Sequence, residues 1–153
     1  MPKLARIAVL LLALASLLLA AACDAKTSDR DLQTVNSHEA IELAARKGAG
    51  PFSSAATVVW VDPRSSGEFE KAHIPEAINI PFGGPFEQDA NAKLRGADVI
   101  VVYATSVQDV LGIAASKRLI ELGYRNVYTL KGGLRQWVRD GNAAEGSDPE
   151  SVN

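Results

Sequence analysis

Apolar residues along the chain fall into two kinds of run. Thr57-Val58-Val59-Trp60-Val61 and Val99-Ile100-Val101-Val102-Tyr103 are short, β-prone and unbroken, the pattern of strands buried on both faces of a parallel sheet, and Asn126-Val127-Tyr128-Thr129-Leu130 gives a last strand. Leu32 to Val35 predicts a short first strand, and Ile78-Asn79-Ile80 a brief one closed by Pro81 and Gly83-Gly84-Pro85. The other runs have helical spacing. Asn36 with Glu39 three residues on makes a capping pair, opening a helix through Lys47 whose apolar face is Ala40, Leu43 and Ala44. Gly48 to Ser54 breaks it. Ser65 to Ala72 predicts a short helix, Val110 to Leu122 one ended by Gly123, and Leu134 to Arg139 a last one carrying Trp137. Strands alternating with helices imply an α/β domain on a parallel sheet. No internal repeat points to a solenoid.

Both ends depart from this pattern. Met1 to Arg6 carries two positive charges, Ile7 to Ala22 is apolar apart from Ser16, and small residues close the run at Cys23. A permanent span needs about 20 apolar residues, so residues 1–22 read as an export signal that is cleaved. At the other end, 142–153 is Gly-, Ser- and acid-rich with little to bury, which predicts a disordered tail. The domain is expected over 32–141, with 23–31 as a short linker.

Composition narrows the function classes. Hydrophobic residues make up 47% and charged residues 22% of the 153, ordinary for a chain with one buried core. The net charge is −2, and Lys3 and Arg6 fall in the cleaved segment, so no basic stripe suits nucleic acid. Cys23 is the one cysteine, which excludes an internal disulfide and a thiolate metal cluster. With His38 on a helix surface and His73 in a turn, no metal site and no cofactor site is indicated.

Leu19-Ala20-Ala21-Ala22-Cys23 resembles a bacterial lipobox, with alanine where leucine is preferred at the third residue before the cysteine. That resemblance implies diacylglycerol and further acyl chains such as palmitate on Cys23, and an anchor at a periplasmic membrane face. Asp24 resembles an inner-membrane retention signal.

Three stretches carry a second resemblance: Val61-Asp62-Pro63-Arg64; Glu68-Phe69; and Ala72-His73-Ile74-Pro75-Glu76-Ala77-Ile78-Asn79-Ile80-Pro81. Leu122-Gly123-Tyr124 and Val127 to Gly133, followed by Trp137 and Gly141, continue it. Together they strongly resemble the rhodanese-like family, in order and spacing, from Leu32 to Gly141. The resemblance implies a three-layer α/β/α fold with a five-stranded, mostly parallel sheet in the order 3-2-4-5-1. It also implies a six-residue loop after the fourth strand, headed in active members by a cysteine whose persulfide the loop's N–H groups stabilise.

Here that position is Ala104, and the loop continues Thr105-Ser106-Val107-Gln108-Asp109. A methyl group cannot attack a sulfane sulfur. Val107 would be strained at a positive φ that glycine tolerates, and a carboxylate at Asp109 repels anions such as thiosulfate. Ser106 or Thr105 would need a base, and neither histidine lies in the loop. Asp62 and Arg64 match the family's Asp-x-Arg pair and read as internal support of the loop, as does His73 in its His-Ile-Pro turn; Trp60 and Trp137 read as core or near-core aromatics.

The leading expectation is a membrane-anchored, non-catalytic module, a rhodanese-like pseudoenzyme, that binds a protein partner or small ligand. Its rivals are a sulfur-handling enzyme with an atypical site, for which only Cys23 offers a thiol, and an envelope lipoprotein with a structural or assembly role.

Overall fold

The computed structural model describes residues 27–45 and 56–152. The expected signal 1–22, Cys23, Asp24, the last turn of the first helix and the Gly48 to Ser54 break lie outside the described residues. Elements follow in the order β1 (Gln33–Val35), α1 (Ser37–Ala45), β2 (Val58–Asp62), α2 (Ser66–Lys71), β3 (Ile78–Asn79), α3 (Phe86–Lys93), β4 (Val99–Val102), α4 (Leu111–Glu121), β5 (Val127–Leu130) and α5 (Gly133–Arg139). Short 3-10 turns at Asp29–Asp31 and Pro149–Val152 flank them.

The five strands form one sheet in the order β1-β5-β4-β2-β3, every pairing parallel. Read from its other edge this is the order 3-2-4-5-1. The central strand shows why its sequence is an unbroken apolar run. Ile100 and Val102 enter one core with Phe86, Ala90 and Leu119, while Val101 and Tyr103 enter the opposite one with Leu43, Leu134 and Trp137. A period of two sends alternate residues to two buried faces, so no polar position interrupts it.

Local signals set the element ends. Asn36 Oδ1 accepts the Glu39 N–H at 2.9 Å and Glu39 Oε2 accepts the Asn36 N–H at 2.8 Å, the reciprocal pair that opens α1. Ser65 and Glu68 do the same for α2. The sequence reading assigns no element between Pro85 and Val99, where the structure forms α3. Its buried stripe is only Phe86, Ala90 and Leu94, one residue per turn among polar neighbours.

The segment after Gly141, expected to be disordered, is docked. Residues 73 and 145 pair as an antiparallel bridge, with N–H···O distances of 2.8 and 2.9 Å. Ser147 and Asp148 donate backbone N–H to the Glu70 and Lys71 carbonyls, and Trp137 Nε1 donates to the Ala143 carbonyl at 2.7 Å. Val152 is buried in the core beside α5. The anchoring runs through backbone groups, which composition does not register, and through one apolar side chain. Part of the expected linker is folded as well: Ser28 caps the Asp29–Asp31 turn, and Asp29 pairs with Lys117 of α4.

Candidate functional site

The loop between β4 and α4 runs from Ala104 to Asp109. Tyr103 delivers it from the sheet. Burial pushes the Tyr103 phenol well above its ordinary pKa, the Asp62 charge adds to the effect, and the neutral oxygen accepts the Ile74 N–H at 3.1 Å. Ala104 is buried, and its methyl lies where a side chain on Gly112 of α4 would touch it, at 3.4 Å.

The base of the loop is fastened to the start of α5. The Leu134 N–H donates to the Ala104 carbonyl at 2.8 Å and the Arg135 N–H to the Thr105 carbonyl at 3.0 Å. That approach requires glycine: Gly133 has φ +62, and a Cβ there would stand 2.4 Å from the Ala104 oxygen.

Asp109 closes the loop from inside. Its Oδ2 accepts the Thr105 N–H at 3.1 Å and its Oδ1 the Leu111 N–H at 3.0 Å, so one carboxylate bridges the loop's first turn and the start of α4. These are the backbone donors that a bound anion would seek. The Asp109 N–H donates to the Ser106 carbonyl at 3.1 Å, and the Ser106 hydroxyl to Gln108 Oε1 at 3.1 Å. No residue from Ala104 to Asp109 adopts a positive φ, so Val107 sits in this loop without the backbone strain that the glycine-type conformation would impose.

Asp62 and Arg64 form a buried, bidentate pair just behind the loop. Arg64 Nε donates to Asp62 Oδ1 at 2.9 Å, and Arg64 Nη2 to Asp62 and to the Ala72 carbonyl at 2.7 Å. The guanidinium lies 5.8 Å from the Tyr103 ring centre and shares a recess of about 110 Å³ with Thr105. His73 is elsewhere. It stacks on Phe69, its Nδ1 lies 2.7 Å from the Phe69 carbonyl and its Nε2 3.4 Å from Glu145; none of these contacts reaches residues 104–109, which places it under the docked tail rather than the loop. His38 is exposed beside Glu42. Among the described residues, no group of three or more His, Cys, Asp and Glu side chains converges as a metal site would require.

The outer face of the loop opens on a cleft of about 980 Å³ between the start of α1 and α5. Ser106, Val107 and Gln108 form one wall, and Lys131, Arg135 and Arg139 line another. Sequence reasoning missed these three cations, although their spacing of four residues puts Arg135 and Arg139 on one helical face with Lys131 just before it.

Comparison with known proteins places the fold in context. Residues 40–140 match the Rhodanese-like domain family. The chain is similar to the adenylyltransferase and sulfurtransferase UBA4 of Meyerozyma guilliermondii, 27% identical over 86 residues, covering 54% of this chain and 20% of that protein. The Candida albicans protein of the same name is 30% identical over 94 residues with the same coverage. The chain thus spans about a fifth of the length of these relatives. Among solved structures, a Rhodanese-like domain from Anabaena aligns with a TM-score of 0.58 and 26% identity, covering 78% of this chain and 83% of that one. A protein from Bacillus halodurans shares the fold at a TM-score of 0.61 and 23% identity, covering 75% and 77%.

Proposed function

The chain belongs to the rhodanese-like family, and from that premise we propose that it is a non-catalytic member, tethered to a bacterial envelope membrane through lipid on Cys23, that uses its loop and the adjoining cleft for binding. The observation that carries the reading is the pair Ala104 and Asp109. Sulfur transfer in this family needs a thiolate to take up the sulfane sulfur, and Ala104 at that position has no nucleophile. Two backbone donors of the loop, the Thr105 and Leu111 N–H groups, are taken by Asp109, whose own charge opposes an incoming anion. The curated relatives are named sulfurtransferases, and the missing thiol is the reason that activity is not carried over.

The test is thiosulfate:cyanide sulfurtransferase turnover by the full-length chain in detergent, beside Ala104→Cys and the double variant Ala104→Cys with Asp109→Gly. The expected order is no turnover by the wild type, little by the single variant, and more by the double variant, whose loop donors are released. Turnover by the wild type above a protein-free blank would overturn the reading.

A further inference from the structure

We propose that the cleft of about 980 Å³ between the start of α1, the loop and α5 is a docking groove for an acidic peptide segment of a partner protein, one that carries an apolar side chain between its carboxylates. The proposal rests on the reading above, that this face binds instead of reacting, and it names what is bound.

Charge gives the first argument. Lys131, Arg135 and Arg139 are all exposed and line one cleft, and among the described residues none of them enters an ion pair, although Arg30, Lys71, Arg95 and Arg125 outside the cleft are unpaired as well. The one carboxylate in the cleft, Asp140, is occupied. Its pKa is lowered first by the Ser37 hydroxyl and then by the Gln136 amide, which donates to it at 2.8 Å. Three free cations face one engaged carboxylate on a chain whose net charge is −2. Such a local excess of one sign selects a partner of the other and steers its approach.

Size and shape give the second. Arg135 and Arg139 are one helical turn apart on α5, about 6 Å along the axis at 1.5 Å per residue, and Lys131 precedes the helix on the same cleft. A volume near 980 Å³, at the upper end of the roughly 300–1,000 Å³ of small-molecule pockets, has room for more than one small anion. An extended segment with two or more carboxylates meets the whole row. The cations line a concavity, which suits a chain segment better than a flat bilayer surface.

The rim gives the third. Val107 is 65% exposed at the loop tip and Ile41 42% exposed on α1, both lining the cleft, so an apolar side chain seated between them removes hydrocarbon from water on both partners.

The experiment is selection from a library of random 12-residue peptides displayed on phage, using the detergent-solubilised full-length chain and two variants. One variant reverses the row (Lys131→Glu, Arg135→Glu, Arg139→Glu). The other neutralises it with glutamine at the same positions, and circular dichroism checks all three folds. The expected result is enrichment of peptides holding Asp or Glu on either side of Leu, Ile or Phe. By fluorescence anisotropy these should bind the reversed variant about tenfold or more weakly and the glutamine variant in between, and binding to the wild type should weaken as salt rises while binding to the reversed variant does not. Enrichment without acidic character, or acidic peptides that bind the reversed variant equally, would overturn the groove. Binding to phosphatidylglycerol vesicles that depends on the row, with no acidic peptide enriched, would overturn it in favour of a lipid surface. Sulfurtransferase turnover by a wild type that also selects acidic peptides would sink the non-catalytic reading and leave the groove intact.

Discussion

At the scale of single residues, Asp109 decides what the loop can be. A six-residue loop between a strand and a helix leaves its N–H groups facing inward, and something must accept them. In this chain the acceptor is built in: both Asp109 oxygens are used, at 3.1 and 3.0 Å, and no positive φ is needed. Asp109→Ala removes both acceptors and should lower stability by about 1 kcal/mol, as loss of a helix-capping side chain does. Asp109→Asn keeps one acceptor oxygen and should cost less. Urea denaturation of the two variants checks this; equal stability of Asp109→Ala and wild type would mean that solvent satisfies the loop as well as the carboxylate does.

At the scale of elements, most of the fold was readable because each strand obeys one local rule. The β2 run through Val61 and the β4 run are apolar without interruption since both sheet faces are covered, β5 is interrupted only by Thr129, whose hydroxyl donates to Ser116, and the Asn36 and Glu39 pair marks the start of α1 in four residues of sequence. What was not readable depends on contacts between distant residues. The α3 stripe is too narrow to signal a helix until Phe86, Ala90 and Leu94 meet β2 and β4 residues. The docked tail looked like a disordered one, because its hydrogen bonds are made by backbone atoms to Glu70, Lys71 and His73. The row of cations at the cleft was in the sequence, but nothing there told that Lys131, Arg135 and Arg139 border the same cavity as Val107. The tail's contribution is measurable. Val152→Ala removes two buried methyl groups and should cost about 1–2 kcal/mol. Removing residues 142–153 should cost more, because it also leaves the Trp137 indole N–H and the His73 backbone without their partners. A shortened chain with an unchanged urea midpoint would show that the tail only rests on the domain.

At the scale of the whole molecule, the proposed lipid anchor on Cys23 makes the distance between anchor and domain the controlling quantity. Among the described residues no helix is long and apolar enough to cross a membrane; in the proposed reading attachment is made by lipid on Cys23. The Asp29–Asp31 turn pairs with the domain through Asp29 and Lys117, so in the proposed reading the chain between the lipid and the domain is the few residues from Cys23 to Asp29. At roughly 3.3 Å per residue these reach about 20 Å when fully extended. The cleft beside α5 would then work close to the bilayer surface, and a partner presenting an acidic segment would have to do so there. Several acyl chains hold such a domain because each buried methylene contributes about 0.8 kcal/mol and one chain alone is marginal. Cells fed an alkyne analogue of palmitate should therefore label the wild type and leave Cys23→Ser unlabelled, and fractionation should move the variant from the membrane pellet to the soluble fraction. A Cys23→Ser protein that still sediments with membranes, at an unchanged level, would show that attachment is made by the domain or by the uncleaved amino-terminal segment, and the tether argument would fall with it.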